Sequence, residues 1–598
     1  MARCFRTGGL AAPNKGAFYR SREEGLVIKE PGGRLRVGLI WPGPYETGMA
    51  SLGFLAVYAL LNNNPKVAAE RFFQPKPGEK VLSIETQSPL GAFDLLGASL
   101  TLENDYWIFL EILAVGRINP ERAARLKDPL VFAGGVGVWA NPWPIVPFAD
   151  LILAGEAEEQ WPIILSHYLD PYFSQETKES QLKILEAKVP GALAPGLWPN
   201  EVLQGLVPLA KPVRPAILGW PPNDNLPAVS PILTPHTEFG YRRLVEISRG
   251  CPHGCRFCLA GVLYRPSRPW PLASVLKALG FAGSPTGDPT GTSTQTNREP
   301  VGLVSPAVAD HPEIESILES LLAAGREVSV SSLRLSALTQ SLAQRLMAGG
   351  AKGLAVAPEA GTARLRAVIN KALTEGEILE ACGFLASAGI RRLKLYFMLG
   401  LPLETDEDLL GVALLAGKIR QNLKAGSFAP RLVVSAANFC PKPQTPFEGV
   451  GLLTEAELYR KGELLKKNLT KVGGIEVRLD PPIWSLVQSL LARGGHQSGD
   501  LVRSLREFQG RVRPALKKYL ALTGVKAGKN TLPPVLTEPW PEDKYKPWRI
   551  IDVAAGADFL AQEERLAKEA RMSPPCPTSG FCGRCEACAT RRNKDTQS

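Results

Sequence analysis

The chain has 598 residues, 45% hydrophobic and 21% charged, with a formal net charge of +11. This size holds about three domains, and the balance excludes both a disordered chain and a small disulfide-dependent scaffold. No uninterrupted apolar run approaches a membrane span, and the first residues lack the apolar core of a secretory signal.

The first 22 residues carry Arg3, Arg6, Lys15, Arg20 and Arg22 with no acid. A frayed basic arm is preferred here over an organellar presequence. The net positive charge permits an anionic partner such as RNA, but it is spread along the chain, so a solvated basic surface is an equal reading. Seven of the ten cysteines fall into two compact groups, which suits metal ligation in a reducing compartment, and the expected location is cytoplasmic.

Residues 36–41 read as a buried strand, and Leu52, Leu55, Ala56, Ala59 and Leu60 then recur at helical spacing. Further strands are expected at 95–100, 130–133 and 151–154, with helical segments between them. Such alternation predicts an α/β domain with an open, flavodoxin- or Rossmann-like parallel sheet over 1–188. Ligands of these sheets lie beyond the carboxyl ends of the strands, where Gly134-Gly135-Val136-Gly137 and Gly155-Glu156-Ala157-Glu158 fall. Tight strand-to-helix turns also require glycine, so these runs fit either role. Seven prolines between 212 and 235 make 189–235 a semi-rigid linker.

Past the linker, strands are expected at 244–247, 301–304, 328–330, 353–356, 393–397 and 432–435. Ile314, Ile317, Leu318, Leu321 and Leu322 line one helical face between two of them. Six β/α units over 236–470 make a partial barrel, whose chemistry belongs on the loops after the strands. A Gly-, Ser-, Thr- and Pro-rich stretch at 283–296 reads as a flexible insertion.

After the first of these strands comes Cys251-Pro252-His253-Gly254-Cys255-Arg256-Phe257-Cys258. Three thiolates at this spacing can ligate a [4Fe-4S] cluster and leave its fourth iron open. The alternatives are a zinc knuckle or a disulfide. His253 is a poor fourth zinc ligand because it lies inside the loop that the cysteines form.

The motif resembles the radical S-adenosylmethionine (SAM) superfamily, and the likeness covers most of the chain. It implies that the open iron chelates SAM, and that one electron from an external donor, passed through the cluster, cleaves SAM to methionine and a 5′-deoxyadenosyl radical. It places Phe257, Ser305, Ser332, Arg334 and Glu359 around SAM, with Asp310 beside them. Gly400-Leu401-Pro402-Leu403-Glu404-Thr405 resembles a turn of related enzymes, and Thr405 with Asp408 also fits a capping box. Residues 438–447 form a proline-rich loop over the site, in which Cys440 reads as packing. Arg265 and Arg268 are expected to meet an anion or the neighbouring domain.

With Asn141-Pro142 and Asp150, the first domain resembles the cobalamin (B12)-binding domain that precedes many radical SAM domains, and Gly134, Gly135, Gly155 and Glu156 are its expected cobalamin loops. One departure is plain. That domain often carries Asp-x-His-x-x-Gly after its first strand, whereas the first histidine here is His167. Binding of cobalamin without a protein ligand and retention of the fold without the cofactor both stay open.

Cys576, Cys582, Cys585 and Cys588 can complete a zinc site or an iron–sulfur cluster, and spacing does not choose between them. They close a helical C-terminal region, 471–598. With Pro547-Trp548-Arg549-Ile550-Ile551-Asp552-Val553, they resemble a bacterial and archaeal family of B12-binding-domain radical SAM proteins of unassigned substrate. The leading reading is a radical SAM enzyme acting on an unknown substrate, RNA or protein among the guesses. The competing reading is a catalytically silent, metal-stabilised RNA-binding or assembly factor.

Overall fold

A computed structural model describes residues 15–219, 226–281, 298–330, 333–424, 430–524, 537–541, 544–577, 582–585 and 587–588. The 283–296 insertion and Ser332 lie outside these residues.

Val37, Leu39 and Ile40 are buried on both faces of the first strand, as a central parallel strand requires. The strands β1 (Leu35–Ile40), β2 (Val67–Phe72), β3 (Leu95–Ser99), β4 (Leu130–Gly134), β5 (Leu151–Leu153) and β6 (Ala192–Leu193) form one sheet in the order β2-β1-β3-β4-β5-β6. All pairs are parallel except β5–β6. The order reverses between β1 and β3, which opens a ligand crevice at their carboxyl ends.

Sequence patterning does not find β2, because Val-Ala-Ala-Glu-Arg-Phe carries two adjacent charges. Both are buried and paired. Arg71 meets Glu85 at 2.6 Å and Glu23 at 2.7 Å, and Glu70 accepts the Ser83 and Thr86 hydroxyls at 2.6 Å. Burial of these charges is tolerable because every one is compensated.

Helices Leu52–Asn62 and Ala157–Tyr168 cover one face of the sheet with Phe54, Leu55, Tyr58, Leu61, Trp161 and Ile164. Helix Tyr106–Val115 covers the other; helix Ser498–Glu507 packs on it, helix Pro482–Arg493 on the turn Glu103–Asp105 before it, and helix Val512–Leu522 on these two, so three helices from the far end of the chain join this core. The first and last parts of the sequence therefore share one core.

The second sheet begins with β7 (Arg243–Glu246). An antiparallel ribbon of β8 (Ser248–Arg249) and β9 (Arg268–Pro269) then brackets the cysteine loop. The parallel strands β10 (Val301–Val304), β11 (Val328–Val330), β12 (Gly353–Glu359), β13 (Arg392–Leu399) and β14 (Arg431–Asn438) follow. A Leu333–Val356 bridge joins the β7-β10-β11 and β12-β13-β14 groups into the run of six β/α units. A seventh strand, β15 (Ile475–Leu479), pairs parallel with β14. The proline-rich segment is anchored at three points: Ala216 bridges Gly155, Val213 bridges Ile551 and Val229 bridges Val245.

Candidate active site

The cysteine loop is held from three sides. At its start, Gly250 takes φ +76°, and a Cβ there would fall 2.2 Å from the Tyr264 carbonyl, so only glycine admits the turn. In its middle, the Arg256 side chain is 0% exposed. Its guanidinium donates to the Ala367 and Val368 carbonyls at 2.9 Å, to Glu563 at 3.1 Å and to the Arg571 carbonyl at 2.8 Å. Asn370 donates to the Gly254 carbonyl at 3.0 Å and accepts the Ser573 N–H at 2.9 Å. The loop is thus clamped between helix Ala363–Val368 and the C-terminal segment.

Cys251, Cys255 and Cys258 are free thiols, each partly exposed. Burial pushes the Cys251 thiol up to about 12 and raises that of Cys258. Arg334 reaches Cys255 Sγ at 4.0 Å and also donates to Ser336 at 2.9 Å. His253 turns away from any ligand role, pairing through Nε2 with Asp310 at 2.7 Å.

Of the residues expected around SAM, Phe257, between Cys255 and Cys258, packs against the small apolar cluster that includes Ala360, Leu365 and Phe439. Ser305 shares a hydrogen bond with Ser248 at 2.5 Å and accepts the Ala307 N–H at 3.0 Å. Glu359 ends β12 with φ +67°, at a shift in the β12–β13 register. Burial raises its carboxyl, against the pull of Lys371 at 3.3 Å and of Arg334.

All four expected cobalamin-loop residues line one cavity of about 520 Å³. Its apolar walls include Leu39, Leu60, Phe132, Leu153 and Trp161 of the first domain. Its far side is built by Ser248, Arg249, Gly250, Ala260 and Ser305 of the barrel, on either side of the cysteine loop. The cavity therefore joins the crevice of the first sheet to the barrel mouth, within the size range of small-molecule sites. Glu156 itself is committed to structure: it accepts Arg268 at 2.9 Å, Arg249 at 3.3 Å and the Leu218 N–H at 2.7 Å. Against the cost of burial, these partners hold its carboxyl below the ordinary range.

Arg249 continues the lattice to Glu158 at 2.7 Å and Glu246 at 2.9 Å. This interdomain lattice escapes sequence reasoning because its members lie on four separate loops and strand ends. Arg268 does meet the neighbouring domain, as expected, whereas Arg265 faces the C-terminal cysteines. Glu404 is occupied by the Gly400 N–H at 3.0 Å and Lys461 at 3.1 Å, and Cys440 donates to the Ser485 carbonyl.

A parallel β/α barrel with three free thiols on the loop after its first strand, docked to a doubly wound α/β domain, defines a barrel enzyme equipped for iron–sulfur chemistry. Residues 245–416 match the family model described as the radical SAM superfamily, and residues 53–195 match that of the N-terminal region of radical SAM proteins. The chain belongs to the radical SAM superfamily and is a radical SAM enzyme. An uncharacterised protein of Methanocaldococcus jannaschii is 30% identical over 462 residues, 77% of this chain and 88% of its own. Two solved structures are similar at 13% identity. The methyltransferase TsrM of Kitasatospora setae, with cobalamin and a [4Fe-4S] cluster bound, has a TM-score of 0.46 and matches over 81% of this chain and 100% of its own. The cobalamin-dependent enzyme OxsB, with aqua-cobalamin and SAM bound, has a TM-score of 0.45 over 82% and 71%.

Proposed function

We propose that Cys251, Cys255 and Cys258 ligate a [4Fe-4S] cluster and that SAM lies between it, Ser305, Arg334 and Glu359. The donor set fits: three thiols, an open side, a guanidinium for the cofactor carboxylate and a buried carboxylate for ribose hydroxyls. The cluster supplies one electron to the sulfonium, and the chain's part is to orient SAM and exclude water.

The observation that extends this reading is the 520 Å³ cavity between the two sheets, which supports cobalamin as a second cofactor. Its apolar walls and glycine-bordered rim fit a large, flat ligand. No histidine is among its described lining residues, so cobalamin would sit there without an imidazole ligand. Bound there, it would supply methyl-group transfer, and the reaction class proposed is methylation of an unidentified substrate. The four C-terminal thiols are proposed as a second metal site.

Anaerobic reconstitution with iron, sulfide and hydroxocobalamin, then dithionite and SAM, tests the proposal. Formation of 5′-deoxyadenosine or transfer of the SAM methyl group is expected. Neither product from an iron-replete protein sinks it. Glu359→Ala is expected to weaken SAM binding about tenfold, the size of one lost charged hydrogen bond, with the iron content unchanged.

A further inference from the structure

The two faces of the barrel's last strands differ in kind. Leu393, Leu395, Phe397 and Leu399 of β13, with Leu432 and Val434 of β14, are buried in the core that the outer helices share. The alternate residues of each strand point the other way, into the barrel. On β13 these are Arg392, Lys394, Tyr396 and Met398. In register beside them, Arg392 stands next to Arg431 of β14, and Tyr396 lies in one row with Ser435 and with Arg478 of β15. This face reaches solvent: Tyr396 is 36% exposed, and the Arg431 and Arg478 side chains are 68% and 52% exposed.

The inner column of β13 leads to the cysteine loop. Met398 and Phe257 pack against the same small apolar cluster, and Glu359 is in register with Phe397. Tyr396 and Lys394 follow about 7 Å and 13 Å further down, the repeat of alternate residues in a strand.

The charge on this face is one-sided. Apart from Glu359, the inward residues of β12 to β15 set Arg392, Lys394, Arg431 and Arg478 against one carboxylate, Glu476. Arg478 at 2.6 Å and Arg431 at 2.7 Å share that carboxylate, and together with Arg392 they hold it below its ordinary range. Among the described residues Lys394 has no carboxylate partner. Its Nζ donates to the Tyr396 hydroxyl at 2.8 Å and lies 4.3 Å from the centre of that ring. Like charges directly opposite one another, as Arg392 and Arg431 are, cost stability. Folding does not call for such a surplus inside a barrel, whereas an anionic ligand does.

We infer that the inner face of β13 to β15 is the substrate site and that it takes a small phosphate ester. Lys394 and Arg478 hold the phosphate, an ammonium and a guanidinium fork matching its oxygens. Arg392 and Arg431, nearer the rim, draw the anion in. The ester end of the molecule then runs up the column toward Met398 and Glu359, which sets its phosphate about 10 Å from the carbon that reacts. The position of that carbon rests on the radical SAM reading above, and the phosphate site does not. A small molecule fits better than a nucleic-acid strand, which needs aromatic platforms for successive bases. Tyr396 is the one aromatic residue on this face of β12 to β15, and Lys394 lies against its ring.

Calorimetric titration of the reconstituted full-length protein with phenyl phosphate tests the site, with phenol as the ligand that lacks the phosphate. Phenyl phosphate is expected to bind and phenol is not. Lys394→Met/Arg478→Met is expected to weaken binding at least about tenfold, the loss of one charged hydrogen bond. Lys183→Met/Lys418→Met removes the same net charge from exposed helix positions and is expected to leave binding unchanged. In the wild-type protein, phenyl phosphate should also slow acetylation of Lys394 but not of Lys183, read by peptide mass spectrometry, and this measurement decides even where a variant fails to fold.

Absence of phenyl phosphate binding overturns the inference, as do equal weakening by the two double changes and acetylation of Lys394 at the same rate with and without the probe. A short single-stranded RNA that protects Lys394 at lower concentration than phenyl phosphate overturns the choice of a small molecule. Any of these results in a protein that still forms 5′-deoxyadenosine leaves the radical SAM reading standing. Protection of Lys394 in an iron-replete protein that forms no 5′-deoxyadenosine and transfers no methyl group supports the phosphate site and counts against that reading.

Discussion

At the scale of single residues, buried charges rather than the cysteines decide how the two domains meet. Glu156 is 4% exposed and receives two guanidiniums and a backbone N–H. Removing its charge leaves Arg268, 1% exposed, without its anion. Glu156→Gln is therefore expected to destabilise the protein by about 3–5 kcal/mol in urea unfolding, and a loss within error would show that Arg249 and Arg268 find other partners. Because the Glu156 carboxyl is held low, its contribution is present above the ordinary carboxylate range and is lost as pH falls through the folded value.

Asp105 has the opposite sign. Burial, with Glu103 beside it, pushes its carboxyl up to about 6. The folded chain then binds this proton more tightly than the unfolded chain, and stability falls as pH rises from about 4 to about 6. Asp105→Asn is expected to flatten that slope and to stabilise the protein at pH 7 by about 1–3 kcal/mol. Urea midpoints at pH 4.5 and 7 check this, and parallel pH profiles for the two proteins would refute it. None of this is visible in sequence, where Glu103 and Asp105 read as an ordinary acidic turn. Lys442, which neutralises Glu103 at 2.6 Å, lies 339 positions away.

At the scale of elements, the sequence carries most of the barrel, because period-2 burial and helical spacing leave clear traces in strands such as Arg392–Leu399 and helices such as Ile314–Ala323. The capping box expected at Thr405 and Asp408 is formed in part: Asp408 accepts the Thr405 N–H at 2.9 Å and its hydroxyl at 3.1 Å. What spacing hides is the second use of Asp408, which also accepts the Thr362 hydroxyl and the Arg364 guanidinium from the preceding β/α unit. One carboxylate thereby caps helix Asp406–Lys424 and ties two loops at the barrel mouth. Asp408→Ala should cost about 2 kcal/mol, more than a lone helix cap. Asp408→Asn, which can keep the cap, should cost less. Equal losses for both in urea unfolding would mean that the tie to Arg364, not the cap, carries the energy.

At the scale of the whole molecule, the order of segments along the chain is not the order of cores in space. Val487, Leu491, Leu501, Val502 and Leu505 are completely buried in the same cluster as Leu96, Phe109, Ile112 and Val131. Asn141 donates to the Ala492 and Gly494 carbonyls at 2.9 Å, and Trp143 Nε1 donates to the Pro547 carbonyl at 2.8 Å. Five such aliphatic side chains contribute about 1.5–3 kcal/mol each. Their sum, on the order of 10 kcal/mol, equals the net stability of a typical domain. Nothing in the amphipathic pattern of those helices says which sheet they cover, since an apolar stripe specifies burial but not a partner.

The consequence is that the first α/β domain is incomplete without the C-terminal helices Pro482–Arg493, Ser498–Glu507 and Val512–Leu522. A chain ending at Asp480 should expose the outer face of helix Tyr106–Val115 and yield aggregated or rapidly proteolysed protein, even though every strand of both sheets is present. Supplying residues 481–577 as a separate polypeptide should restore protection of the 15–188 region. Equal proteolytic stability of the shortened and full-length chains would refute the shared core and make the C-terminal helices a detachable appendage.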